Sequence, residues 1–381
     1  MPFAAALSEH PLPTHAVGEV VGEVLEQLGE APDLAILFVS APHTGAIEDI
    51  VSAVRQLLRP RVLVGCTAGT VVGADREVED HPAISLWAAR IPTVEAHRLS
   101  AERTADGPAI TGFPAACELP ADAEAVLVFA DPFTFPADEL VAGLREQVGV
   151  DLPVIGGLAS AARGPGGNRL VLDGHVVTDG AIAIVIGGVG VQTVVSQGCR
   201  PIGDPMVVTA ADGTMIKELA GRNALEKVQE TLRLLSPDDV DLAQRGLHIG
   251  RVIDERKAEF ERGDFLIRDV LGADPTSGAV AVGDEVEVGS TVQLQVRDAA
   301  SADEDLRDLL WARAADGALL FTCNGRGTSL FGIESHDAQV VSDLLDRIPL
   351  AGMSCAGELG PVGGRSFLHT FTASVLLLHD L

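Results

Sequence analysis

One unit recurs three times along this chain, and nothing else in it limits the fold so tightly. Each copy runs from a short apolar stretch through a helical pattern to a second apolar stretch, a glycine turn and a third strand-like run. In the first copy residues 35–39 (AILFV) lead to Ile47, Ile50, Val51, Val54, Leu57 and Leu58 at helical spacing. Residues 61–64 follow, then Gly65-Cys66-Thr67-Ala68-Gly69 and a strand-like run at 83–89. The second copy uses residues 125–129 (AVLVF), then Leu140, Val141, Leu144 and Val148, then 153–155, Gly156-Gly157-Leu158-Ala159-Ser160 and 181–186. The third uses residues 318–321, then Val340, Val341, Leu344, Leu345 and Ile348, then 349–351, a Gly/Ser/Cys turn from Gly352 that carries Glu358, and 372–378. The interval from Phe38 to Gly65 equals that from Phe129 to Gly156, and Phe321 to Gly352 is four residues longer. Gly166-Gly167-Asn168-Arg169 and Gly363-Gly364-Arg365 both precede the last strand of their copies. This pattern predicts an α/β chain with mixed sheets, built from repeated strand–helix–strand–glycine turn–strand units forming two related halves. Periods this irregular do not describe a solenoid.

Charge excludes some function classes. Asp and Glu outnumber Lys and Arg by 55 to 27, a net charge of −28. Nucleic-acid and anionic-membrane binding rest on basic patches, and no Lys/Arg run exists here. The weakly polar stretch 180–195 is Gly- and Val-rich and falls short of the ~20 apolar residues a spanning helix needs. Residues 1–13 lack a basic segment, so no signal peptide is expected. Five cysteines without a CxxC pair suit reduced thiols and a cytoplasmic location.

Between the second and third copies the texture turns β-rich. Residues 191–195, 206–209, 247–253, 265–270 and 291–297 read as strands, and Asp212-Gly213 and Asp173-Gly174 as hairpin turns. A helix is expected at 224–235. Ser236-Pro237-Asp238-Asp239 opens the next one, with Pro at its first position and an acid two residues later. Ser301-Ala302-Asp303-Glu304 reads as a capping box for a helix running to Ala314. The expected division is 1–225 and 226–381.

Several ordered motifs over most of the chain resemble the FIST family, a small-ligand-binding sensory domain. In the N-terminal part these are the Gly65–Gly69 turn and Gly198-Cys199-Arg200-Pro201-Ile202-Gly203. In the C-terminal part they are Phe265-Leu266-Ile267-Arg268, Val296-Arg297-Asp298, Cys323-Asn324-Gly325-Arg326-Gly327, Glu334 and Gly357-Glu358-Leu359-Gly360-Pro361. Leu359 and Met353-Ser354 depart from the family, where Ile and aromatic residues are common. The resemblance implies FIST N-type and FIST C-type domains, ligand binding and signalling rather than a reaction, and output through a separate protein partner. It also keeps haem open as a cofactor, because some members are reported haem binders.

The residues themselves nominate a ligand site. Cys323, Gly325, Arg326 and Gly327 follow a strand end, where an Arg fork suits a carboxylate or phosphate. The competing reading pairs Arg326 with Glu334 or Asp337. Glu358, beside Gly357 and near Cys355, is an acid that needs a cation, a ligand amine or backbone donors. Arg297 and Asp298 close a strand and are ligand candidates or a structural pair. His369, His248 and His336 read as satisfied structural residues, since no CxxCH motif marks a haem ligand. Cys323 and Cys355 would need a lowered pKa and a nearby base to act as nucleophiles, and no third member is evident. The expected activity is therefore reversible, non-enzymatic binding of an amino acid or related metabolite. The alternatives are a haem-based gas sensor and a Cys-dependent enzyme acting on a small metabolite.

Overall fold

The computed structural model describes residues 2–105, 107–148 and 152–381. The chain forms two compact units: Met1–Val195 with Leu306–Leu368 and Thr372–Leu381, and Ser196–Asp305 with His369–Phe371.

In the first unit the three sequence copies become three mixed sheets. Each centres on a parallel pair: Leu34–Ser40 with Val62–Ala68, Ala123–Ala130 with Val154–Leu158, and Gly317–Cys323 with Leu350–Cys355. The third run of each copy pairs antiparallel with the first, as Ile84–Ala89, Ala181–Gly187 and Thr372–His379. The strand Phe3–Ser8, which carries no marked periodicity in the sequence, lines Ile84–Ala89.

Alternation along the strands sorts their side chains into two layers. Ala35, Leu37 and Val39 pack under helices Pro13–Leu28 and Ile47–Leu57, while Leu34, Ile36 and Phe38 face a core shared by all three sheets. Helix Ala137–Val148 covers the second sheet through Leu140, Val141 and Leu144, and helices Ala299–Leu310 and His336–Leu344 contribute to the layer on the third. In the shared core the ring centroids of Phe38, Phe129 and Phe321 lie 5.6, 6.0 and 6.3 Å apart, one ring from each sheet. The strand-end phenylalanines that mark the repeat are thus its meeting point.

The expected glycine turns prove to be strand interiors. Gly65, Gly156 and Gly352 each stand opposite one residue of the parallel neighbour: Leu37, Val128 and Leu320. At all three, an added Cβ would collide with that residue's carbonyl oxygen. The glycines therefore allow close backbone approach within a strand rather than a change of direction. The direction changes come later, and they carry the next hairpin to a different sheet. Thr70–Gly73 and Arg76–Glu79, from copy one, join the third sheet beside Leu350–Cys355. Leu170–Leu172 and His175–Val177, from copy two, join the first beside Val62–Ala68. Glu358–Val362 and Arg365–His369, from copy three, join the second beside Val154–Leu158. The organising pattern is this cyclic exchange among three sheets; two related halves do not emerge. Gly363-Gly364 turns the exchanged hairpin, and its counterpart in copy two is Asp173-Gly174, not Gly166-Gly167.

The second unit is a seven-stranded sheet whose core is completed by helices Ala224–Arg233 and Pro237–Arg245. Ser236 caps the latter as expected, accepting from the Asp239 N–H. The helix expected from Ser301 starts earlier, at Ala299, and ends at Leu310. Its cap is Asp298, which accepts from the Ala300 N–H at 3.1 Å and the Ser301 hydroxyl at 3.1 Å. An acid is well placed there against the helix dipole. Among the described residues no helix is long and apolar enough to cross a membrane.

Candidate functional site

The parallel pair of the third sheet ends on two cysteines in register, Cys323 and Cys355. The chain leaves the sheet through Asn324, whose N–H donates to the Cys355 carbonyl at 3.0 Å. The Gly325 N–H reaches Cys323 Sγ at 3.4 Å. Gly327 then takes φ 58, a conformation that favours glycine. A Cβ there would also strike the Glu79 carboxylate. That carboxylate instead accepts from the Thr328 N–H at 2.9 Å and hydroxyl at 2.8 Å, anchoring the short helix Gly327–Phe331.

Arg326 is fully buried, with its fork on Asp337: Nε to Oδ2 at 2.6 Å and Nη2 to Oδ1 at 2.8 Å. Asp337 also accepts from the Thr322 hydroxyl at 2.8 Å and lies 3.0 Å from His336 Nδ1. Burial works against the Asp337 charge, but the Arg326 charge and these hydrogen bonds hold its pKa well below the usual carboxylate range. The Phe331 ring covers the site, stacked on His336 at 3.4 Å and lying 5.2 Å from the Arg326 guanidinium carbon.

A second acid comes from the hairpin exchanged out of copy one. Glu77 accepts from the Asp337 N–H at 3.2 Å, and its own N–H donates to the Ser335 hydroxyl at 3.1 Å. Burial, reinforced by the Asp337 charge, pushes the Glu77 pKa up to about 8. A third acid, Glu358, starts the hairpin exchanged out of copy three. Its Oε2 accepts from the Thr372 N–H at 3.1 Å and hydroxyl at 2.9 Å. Burial raises its pKa to about 8, against the pull of those hydrogen bonds and of the Arg326 charge. Two polar atoms are left over: Arg326 Nη1 and Glu358 Oε1 are buried with no conventional hydrogen bond, although the weak Cys323 S–H adds to the forces holding the Glu358 pKa down.

The structure thus gathers Cys323, Gly325, Arg326, Gly327, Cys355, Gly357 and Glu358 within the first unit. Gly357 pairs with the second sheet, its carbonyl accepting from the Leu158 N–H at 2.9 Å. Glu334 is exposed, and Asp337 is the acid on Arg326. Arg297 and Asp298 belong to the other unit, where Arg297 lies over the Phe371 ring and Asp298 binds Arg200 Nε at 2.6 Å. Cys355 is buried, and burial together with the Glu358 charge drives its pKa well up, which opposes nucleophilic chemistry. Sequence reasoning did not find Glu77, Thr322, Phe331 or Thr372. Glu77 lies 260 residues from Asp337, and no local pattern marks it. Among the described residues no group of three or more His, Cys, Asp or Glu side chains is arranged to hold a metal ion.

Comparison with known proteins places this site in a family. The chain matches the FIST N domain over residues 33–222 and the FIST C domain over residues 224–361. An uncharacterised protein of Mycobacterium tuberculosis is 44% identical over 391 residues, covering all of both chains. An uncharacterised protein of Mycobacterium bovis is 45% identical over 376 residues, covering 96% of this chain and 95% of its own. FIST domains are associated with sensory signal transduction and small-ligand binding. With both domains matched in order along nearly its whole length, the chain belongs to the FIST family.

Proposed function

We propose that this protein is a non-enzymatic cytoplasmic sensor whose ligand is an amino acid or closely related metabolite, read out through a separate protein partner. The carrying observation is a pair of buried atoms without a conventional hydrogen bond: Arg326 Nη1, a donor, and Glu358 Oε1, an acceptor once the carboxyl has given up its proton. Buried polar groups are ordinarily satisfied. A carboxylate would accept a hydrogen bond from Nη1–H, and an ammonium would donate one to Oε1. Asp337 already balances the Arg326 charge, so a zwitterion brings no net charge into the site. Glycines 325, 327 and 357 and the two exchanged hairpins give the surrounding loops the means to enclose it.

A thermal-shift panel of the standard amino acids tests the reading, with Arg326→Lys and Glu358→Gln each compared with its own ligand-free state. Lysine keeps a cation near Asp337 but lacks the second guanidinium nitrogen. One or a few amino acids should raise the wild-type Tm, and both substitutions should weaken that response by about 10- to 150-fold in half-saturating concentration, the effect of one charge-assisted hydrogen bond. Silence of the wild type toward every amino acid would defeat the ligand assignment. Undiminished responses in both variants would defeat the site.

A further inference from the structure

The second compact unit carries a polar sheet face of its own. Strand Leu247–Val252 lies between Thr291–Arg297 and Phe265–Ala273, and His248 stands opposite Gln295 on one side and Asp269 on the other. Residues directly opposite in an antiparallel pair share a face, and so does Arg297, two positions beyond Gln295. A buried sheet face is ordinarily apolar, yet His248 is only 4% exposed and Gln295 only 1%. The Nε2 atoms of both are buried with no hydrogen-bond partner. Room is kept for them: a Cβ on Gly250 would strike Gln295 Nε2, and one on Gly246 would crowd His248 Nε2.

Phe371 lies over this face. Its ring is 4.5 Å from the His248 ring and 4.9 Å from the guanidinium carbon of Arg297. The segment is pinned by the Gly198 N–H on the Phe371 carbonyl at 2.8 Å and by the Thr370 hydroxyl on the Ile267 carbonyl at 2.9 Å. Phe371 holds φ 63, a left-handed backbone conformation that bulky side chains rarely adopt. Strain of this kind persists where the surroundings over-determine it, and it gathers at ligand clamps.

We propose that this face is a second binding site, for a small aromatic carboxylate, with the Phe371 side chain as resident stand-in for the ligand's ring. The ligand carboxylate accepts a hydrogen bond from Gln295 Nε2–H and sits in the field of Arg297, and its ring stacks on His248 in place of Phe371. The acidic neighbours do not block this. Asp269 is half exposed at the rim and lies 3.0 Å from His248 Nδ1, while Asp298 is held by Arg200.

Benzoate is the probe, titrated against the full chain by ligand-observed NMR. Wild type should bind it, and Phe371→Gly, which removes the ring and relieves the left-handed backbone, should bind about tenfold tighter or better. Gln295→Leu should weaken binding about tenfold in either background, the effect of one hydrogen bond to a charged group, and benzamide should bind more weakly than benzoate. No benzoate binding to folded Phe371→Gly would overturn the proposal, leaving water as the only occupant. Equal affinity with and without Gln295 would overturn it as well, assigning binding to surface arginines. If Phe371→Gly does not fold, wild type against Gln295→Leu decides alone: weakened binding supports the site, and equal or absent binding overturns it.

Discussion

Arg326 meets Asp337 as a closed fork, with Nε 2.6 Å from Oδ2, Nη2 2.8 Å from Oδ1 and both side chains fully buried. Removing one partner strands the other's charge in the interior, at a cost of about 3–5 kcal/mol. Arg326→Ala and Asp337→Asn should therefore each lower stability strongly in denaturant titrations, with or without a ligand. The double variant Arg326→Met/Asp337→Leu should recover much of the loss, because no charge then needs solvation. Unaltered unfolding of either single variant would contradict the pair.

The two raised acids give the stability a pH dependence of definite sign. Burial pushes the folded-state pKa values of Glu77 and Glu358 up to about 8, against an ordinary 4.5. Above pH 4.5 the unfolded chain has lost these protons while the folded chain keeps them, so the unfolded state binds fewer and stability falls as pH rises toward 8. Glu358→Gln, neutral at every pH, should flatten that slope. It should raise Tm at pH 8 by a few degrees and leave it nearly unchanged at pH 5. A slope identical to wild type would show that Glu358 is ionised in the fold.

The repeat glycines make a prediction with an internal control. Gly352→Ala drives a methyl group against the Leu320 backbone, and Gly65→Ala does the same at Leu37. Each should cost about 1–3 kcal/mol or more by overpacking. Gly22, in the helix Pro13–Leu28, has nothing within 4 Å of an added Cβ. Gly22→Ala should stabilise by roughly 0.5–1 kcal/mol, since alanine loses less conformational freedom in a helix. Parallel changes at all three positions, followed by thermal melts, would refute the close-approach account.

Thiol reactivity separates the cysteines. Burial raises the thiol pKa of Cys66, and burial with the Glu358 charge raises that of Cys355, while Cys117 is exposed. In the native protein a disulfide reagent should modify Cys117 quickly and leave Cys66 and Cys355 untouched until the chain unfolds. Rapid modification of Cys355 would reopen a nucleophilic role.

These results also show where the sequence stops informing. Helix and strand identities are readable because short continuous apolar runs end around Phe38, Phe129 and Phe321 and give way to apolar residues at helical spacing. The pairing of Arg326 with Asp337 was open to sequence reasoning as an alternative, being a matter of 11 residues. Gly65 read as a turn because Gly-Cys-Thr-Ala-Gly has turn composition, whereas its absent side chain serves close strand approach. The hairpin exchange left no local trace. Short strands such as Thr70–Gly73 carry no signal for which sheet they will join, so Glu77 could not be placed beside Arg326.

Calorimetry on a responding amino acid tests the central claim most directly, because it reads the binding and the Glu358 proton together. At pH 7 Glu358, with its pKa near 8, is mostly protonated in the free protein. An ammonium group seated on Oε1 favours the carboxylate, so binding must expel that proton. Titrations at pH 7 in buffers of differing ionisation enthalpy should report release of close to one proton per ligand bound, and Glu358→Gln should abolish the release and weaken binding. Binding with no proton release, unchanged by Glu358→Gln, would contradict the account, as would the absence of any amino acid that binds.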